Sequence, residues 1–340
     1  MKGLVYEAPW ELRVRELPDV PPQAGEVTVT VRASGVCGSD VHGFTGSTGR
    51  RTPPVVMGHE VAGVIAEVGQ GVTATSVGDR VVLKPLLSCG VCPPCRTGQH
   101  TICLDRRLLG GDIQGGYAER VTLPAQMAFP LPDGVDWPVA ALAEPLSVAM
   151  HAVNRTPIEL FDTVVVIGAG AIGILAMLAA QLRGAGTIVV SDRSAHRLEV
   201  ARRLGADVTV NVSEQELRPV VADLTDGLGA AAVIEAVGLP ATSLDSVAVC
   251  RSGGNVTWIG NSEPRVDVEM QELVTRELTL RGAYGADAEF SHAVEALASE
   301  RVAAAELIEL VAPLEEGPDL ITRLAKAEID PIKVVLLAGP

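Results

Sequence analysis

The stretch DTVVVIGAGAIGILAMLAAQLRGAGTIVVSD, residues 162–192, constrains the fold more than any other part of the chain. It reads as an apolar strand, a glycine turn, a long helix with an apolar face, and a second apolar strand. Strands so uniformly apolar are buried on both faces, which belongs to a parallel sheet with helices on either side. Gly168, Gly170 and Gly173 fall in the pattern G-x-G-x-x-G directly between strand and helix. The first glycine allows a tight turn, the second lets backbone amides approach a pyrophosphate, and the third allows close packing of helix on strand. The helix N-terminus then faces the phosphates. A glycine turn in an α/β domain that binds no nucleotide is the alternative, and the strand–turn–helix context speaks against it.

Asp192 ends the second strand, nineteen residues past Gly173. A carboxylate there accepts the ribose hydroxyls of NAD and repels the 2′-phosphate of NADP; a plain helix N-cap is the other reading. Arg193 and Arg197 lie close enough in sequence to hold a 2′-phosphate, but the expectation is NAD, with NADP second. Ala171 and Ile172, between the glycines, and Ile259 and Gly260, ending the later strand NVTWIG, complete the residues expected at the dinucleotide.

On either side of this unit the pattern differs. Residues 1–150 are β-rich: GEVTVTVRASGV and HEVAGVIAEVGQGV alternate at period two, and VGDRVVL and GGYAERVTLP repeat the theme between Pro and Gly turns. That is a barrel-like set of short strands. Residues 151–281 alternate helix and strand and read as a doubly wound Rossmann domain. Residues 282–340 give one helical segment and the strand-like KVVLLAGP, read as a return to the first domain. His151 reads as a structural residue starting the crossover helix, and Cys250 as a buried helical cysteine. At 340 residues the chain can bury two cores.

Four of the six cysteines fall within fifteen residues, in CGVCPPCRTGQHTIC. In a chain of this size such clustering means metal rather than a disulfide framework. Cys89, Cys92, Cys95 and Cys103, spaced C-x2-C-x2-C-x7-C, can close a tetrahedron around Zn²⁺ and leave no open position, so the site is structural. An iron–sulfur cluster is the rival. A formal charge of −15 speaks against a nucleic-acid partner, which needs a concentrated positive surface. No run of about twenty apolar residues suggests a membrane span, and the start MKGLVYEAPW lacks a signal-peptide core, so the expected location is cytoplasmic.

The segment ASGVCGSDVHG leaves Cys37 open as nucleophile, metal ligand or buried thiol. GHE supplies His59 and Glu60, and ALAEPLSVAMHAV supplies Glu144 in apolar surroundings, where a carboxylate is costly unless paired or coordinated. Cys37, His59 and Glu144 form a mixed donor set suited to a catalytic Zn²⁺ with an open fourth position. Their separation in sequence leaves a satisfied core histidine as the stronger reading of His59 taken alone.

The order C-G-S-D-x-H, G-H-E, the four-cysteine loop, E-P-L and then G-x-G-x-x-G resembles the zinc-dependent medium-chain dehydrogenases, over nearly the whole chain. The resemblance implies a GroES-like catalytic domain followed by a Rossmann coenzyme domain, and two zinc ions per chain. It implies Cys37 and His59 as catalytic zinc ligands, and Glu60 as a neighbouring carboxylate able to exchange into the shell. Glu144 stands where the liver-type alcohol dehydrogenases carry a cysteine, as in the sorbitol, threonine and butanediol dehydrogenase branch. The reaction implied is hydride transfer between a secondary alcohol and NAD, with Ser39 and His42 relaying the proton. A homo-oligomer is also implied, tetramer or dimer, pairing near PRVDVEM at the sheet edge. A zinc-free reductase and a non-catalytic NAD-binding regulator share the fold, and the metal-ligand residues count against both.

The substrate is the least legible part. Aromatic residues are only 3% of the chain, which speaks against a pocket walled by rings. The resemblance to the branch with glutamate at residue 144 implies a polar, multiply hydroxylated substrate: a polyol, cyclitol or aminocyclitol. Mammalian-type sorbitol dehydrogenases carry an Arg-Tyr pair where this chain has Gly285 and Ala286, which puts sorbitol itself in doubt. L-threonine and a vicinal diol are the alternatives. Asp40, Glu60 and Asp112 could meet an amino group, but read better as structural.

Overall fold

The computed structural model describes residues 1–49 and 51–339. The chain divides into two compact units, Pro145–Glu289 and a second made of Met1–Glu144 with the chain from Phe290 onward. In the first of these, six strands form one sheet: Thr163–Ile167, Thr187–Asp192, Val208–Asn211, Ala230–Glu235, Cys250–Trp258 and Thr279–Gly282. Numbered first to sixth along the chain, they lie in the order third, second, first, fourth, fifth, sixth. Every pairing is parallel. The central strands are Val, Ile and Ala because both faces are covered; Val164, Val165 and Val166 are fully buried.

The glycine turn has the conformation its sequence demands. Gly168 sits at φ +100°, a region open to glycine. A Cβ on Gly173 would lie 1.7 Å from the Gly168 carbonyl oxygen, so the third glycine is required by packing alone. Gly170 N-caps the helix Ala171–Arg183, and Gly184 ends it in the left-handed conformation.

The other unit holds a seven-stranded sheet. Its path runs Ala128–Pro130, Arg80–Leu83, Glu60–Val68, Glu26–Val36, Lys333–Leu337, Ile308–Pro313, with Arg120–Pro124 also pairing Glu26–Val36. A three-stranded sheet of Glu11–Glu16, Lys2–Ala8 and Val55–Val56 and a two-stranded pair of Leu86–Leu87 with Arg107–Leu108 accompany it. These strands alternate because one face packs a core that includes Leu4, Val29, Ile65, Leu83, Leu123 and Leu336. The chain is a GroES-like β-rich domain with a parallel-sheet Rossmann domain.

Several local features differ from the sequence reading. The unit boundaries fall at 144/145 and 289/290 rather than at 150/151 and 281/282. One reason is that His151 and Asn154 reach Glu289, which ties 282–289 to the parallel-sheet unit. His151 lies in the second half of the helix Ala143–Arg155 rather than at its start. Cys250 is buried but opens a strand rather than ending inside a helix. Among the described residues beyond 282 there are two α-helices, Glu289–Ala298 and Gly317–Ala325, where one was expected, and besides the expected strand Lys333–Leu337 a strand Ile308–Pro313 that the sequence did not suggest. That strand, IELVAP, is largely unburied along its length, so it carries little apolar signal.

Candidate active site

The strand Glu26–Val36 delivers Cys37 to the N-cap of the short helix Gly38–Phe44. The amide of Ser39 donates to the Cys37 sulfur at 3.5 Å, and the amide of Cys37 donates to Asp40 Oδ2 at 3.2 Å. The reciprocal cap fixes where the thiol points. Glu60 opens the strand Glu60–Val68 and is paired with Gly35. A Cβ at residue 35 would lie 1.9 Å from Glu60 Oε2, so glycine there makes room for the carboxylate. On the other side of the Cys37 strand, Lys333 opens the strand Lys333–Leu337 and donates to Glu60 Oε1 at 2.6 Å and to the Val36 carbonyl at 3.1 Å. Three neighbouring strands thus converge on one point. Ligand atoms of Cys37, His59 and Glu60 all lie within 4.8 Å of one another.

Beneath them is a buried polar network. Asp40 Oδ2 accepts from the Tyr117 hydroxyl at 2.8 Å, its Oδ1 is paired with Arg51, and His59 Nδ1 lies 3.4 Å from Oδ1. Burial alone would raise the Asp40 carboxyl. The charges of His59 and Arg51 overcome that and hold it well below the usual carboxylate range. Burial likewise works against a charged His59, and Asp40 more than offsets it, so the imidazole is raised well above its ordinary value. With Nδ1 facing the Asp40 carboxylate, Nε2 is the nitrogen that would meet a metal, as in a carboxylate–histidine–metal triad.

Glu144 is in the first turn of the helix Ala143–Arg155 and is buried. It is not in the set of atoms within 4.8 Å. Its carboxyl is pushed up to about 7, first by burial; the charge of Glu60 adds to this, and those of His59 and Lys333 oppose it. A carboxyl so unfavourable as an anion fits a cation neighbour, which a divalent metal would be. Ser39 and His42 are exposed and sit three residues apart on the helix Gly38–Phe44, hence on one face. Asp112 accepts from the Leu108 amide at 2.8 Å.

The sulfurs of Cys89, Cys92, Cys95 and Cys103 form a second group within 4.8 Å. Amides of Cys89 and Asp105 donate to the Cys103 sulfur at 3.3 and 3.4 Å. Cys92 is drawn down to about 6, chiefly by the Leu104 and Cys95 amides, whereas burial and its thiol neighbours push Cys95 up to about 12. Amide donors that favour thiolate, around four converging sulfurs, suit a closed tetrahedral zinc site.

In the parallel-sheet unit, Asp192 Oδ2 accepts from the Ala169 amide at 2.7 Å and Oδ1 from the Ser194 amide at 2.8 Å. The carboxylate is thereby held at the edge of the glycine turn. Arg193 is exposed, and Arg197 Nη1 comes within 3.7 Å of where a Cβ on Gly170 would be. Ala171 and Ile172 begin the helix after the turn. Ile259 and Gly260 follow the fifth strand, their amides donating to the Glu235 carbonyl.

Sequence reasoning passed over Lys333 and Arg51 and gave Asp40 only a structural part. Asp40 could have been found, since it lies inside C-G-S-D-x-H. For Lys333 the one signal is a lysine opening an otherwise apolar strand, KVVLL.

Two family models match the chain: the alcohol dehydrogenase GroES-like domain over residues 23–133, and zinc-binding dehydrogenase over residues 171–299. The sorbitol dehydrogenase of Bacillus subtilis is 32% identical over 341 residues, covering 99% of this chain and 97% of that one. The L-threonine 3-dehydrogenase of Saccharopolyspora erythraea is 36% identical, covering 84% of each. Among solved structures, a putative zinc-binding dehydrogenase from Sinorhizobium meliloti, bound to NADP, superposes with a TM-score of 0.93. It is 31% identical and covers 99% of this chain and 98% of its own. No helix among the described residues is long and apolar enough to cross a membrane. The chain belongs to the zinc-type medium-chain dehydrogenases, in the branch that includes the sorbitol and threonine enzymes, and is an NAD(P)-dependent alcohol dehydrogenase.

Proposed function

We propose that the protein moves a hydride between NAD(H) and a secondary alcohol or ketone, the alcohol being a polyol, cyclitol or aminocyclitol. The observation that carries this reading is the convergence of Cys37, His59 and Glu60 on one point, with a buried, unfavourably placed Glu144. On this reading Cys37, His59 and Glu144 hold a catalytic zinc, Glu60 can exchange into the shell, and the four-cysteine loop holds a structural zinc. Zinc would supply Lewis acidity at the alcohol oxygen, and nicotinamide the hydride acceptor. Asp40 fixes the tautomer and ring plane of His59. Ser39 accepts the hydroxyl proton as it releases its own toward His42, exposed one turn further on, which passes a proton to solvent, a task suited to an imidazole because one ring nitrogen can accept a proton while the other releases one. The backbone-held carboxylate of Asp192 favours the ribose hydroxyls of NAD over a 2′-phosphate. A cytoplasmic homo-oligomer, tetramer ahead of dimer, is part of the proposal.

Similarity to a sorbitol dehydrogenase along the full chain supports a polyol. The 36% identity to an L-threonine 3-dehydrogenase favours threonine as the second reading. The test is NAD reduction against polyols, cyclitols, aminocyclitols, vicinal diols and L-threonine, with NADP in parallel. Turnover of hydroxylated rings or chains, lost in Cys37→Ala and Glu144→Ala, is expected. Turnover of L-threonine alone would overturn the polyol reading, and full activity in either variant would overturn the ligand assignment.

A further inference from the structure

We propose that Glu235 is a positioning residue for the nicotinamide half of the dinucleotide, its buried carboxylate pinning the loop after the fourth strand of the parallel sheet. The inference rests on the dinucleotide reading of the glycine turn. Glu235 ends the strand Ala230–Glu235 and is fully buried. A carboxylate in that position is costly unless hydrogen bonds compensate it. Its Oε1 accepts from the amides of Val237 at 2.9 Å and Gly238 at 2.7 Å. Its Oε2 is buried and has no hydrogen-bond partner among the described residues. A carboxylate kept at such a cost, half satisfied, marks a role beyond packing.

The loop it pins is locked to the one after the fifth strand. The Glu235 carbonyl accepts from the amides of Ile259 at 2.9 Å and Gly260 at 3.0 Å. The Ser262 hydroxyl donates to the Val237 carbonyl at 2.7 Å, and the Glu263 amide to the Gly238 carbonyl at 2.9 Å. The two backbones touch closely: a Cβ on Gly260 would lie 2.1 Å from the Gly238 nitrogen and 2.6 Å from Glu235 Oε2. Both polar groups of Val237 and of Gly238 are thus held, so these loops keep one shape before any ligand arrives.

Topology says which part of the ligand meets them. The glycine turn after the first strand takes the pyrophosphate, and Asp192, ending the second strand, takes the adenosine ribose. The second and fourth strands flank the first on opposite sides. The other half of the dinucleotide therefore runs over the ends of the fourth and fifth strands, where Glu235 is paired between Ile167 and Trp258. Loops already fixed there spare the ligand the cost of ordering them.

The experiment compares NADH with ADP-ribose, which has the same pyrophosphate and riboses but no nicotinamide, on the wild-type holoenzyme and on Glu235→Ala and Glu235→Gln. Freeing two amides from a charged acceptor should weaken NADH binding roughly tenfold in Glu235→Ala, with ADP-ribose changed less than about twofold. Glu235→Gln retains an oxygen for both amides and should bind NADH within about threefold of wild type, even if it melts earlier. Should Glu235→Ala not fold, Glu235→Asp, one methylene short of the amides, carries the same expectation. Wild-type NADH affinity in the Ala or Asp variant, or equal loss of both ligands, would overturn the proposal. Wild-type protein that binds neither ligand would instead overturn the dinucleotide reading on which it stands.

Discussion

At the scale of single residues, the most consequential pairing is Lys333 with Glu60, joined across 273 positions of sequence and both almost wholly buried. Removing one member of a buried ion pair strands the other charge, which costs about 3–5 kcal/mol, whereas replacing both can be near neutral. Lys333→Met should therefore lower the thermal midpoint sharply, and adding Glu60→Gln should recover much of the loss. Calorimetry on Lys333→Met, Glu60→Gln and the double variant checks this; a double variant as unstable as the sum of its singles would remove the pairing as the cause. The same pair shows why the site was only partly legible. Cys37, His59 and Glu60 stand out because short motifs carry them. Lys333 meets Glu60 only through strand register, with the Cys37 strand between theirs, and no local pattern encodes that.

Among elements, the helix Ala143–Arg155 shows how a charge can be tied down by side chains one turn apart on a neighbouring element. Burial alone would raise the Glu289 carboxyl, but contacts with His151 and Asn154 carry it well below the usual carboxylate range. A depressed folded pKa contributes stability that is present above the unfolded value of about 4.3 and is lost as pH falls toward the folded one. The difference in urea midpoint between wild type and Glu289→Gln should hold steady from neutrality to about pH 5.5 and shrink below about 4.3. A difference unchanged down to pH 3 would mean that the carboxylate's charge is not what stabilises. Elements were legible where periodicity is strong, as in the βαβ stretch and the strand Glu26–Val36. In the last sixty residues the strand Lys333–Leu337 was legible and Ile308–Pro313 was not, because it lies mostly unburied and its parallel partner Lys333–Leu337 is what defines it.

For the whole molecule the governing quantity is the formal charge of −15, which repels an anionic cofactor before any contact forms. NADP carries an extra phosphate, about two further negative charges at neutral pH, so the repulsion falls more heavily on it than on NAD. On the proposed reading Asp192 acts the same way, whereas Arg193 and Arg197 would oppose it. The two contributions respond differently to salt. The protein's long-range field is screened as the Debye length shrinks from about 30 Å at 0.01 M to about 8 Å at 0.15 M, but a direct clash between Asp192 and a 2′-phosphate is not. Preference for NAD, read as the ratio of kcat/KM values, should therefore be largest at low salt. It should fall toward a plateau above one near physiological ionic strength, the plateau being the part due to Asp192. In Asp192→Asn the plateau should drop while the salt-dependent part remains. A ratio that rises with salt would mean that Arg193 and Arg197, rather than the net charge, set the field at the ribose, and NADP would then be the cofactor the site favours.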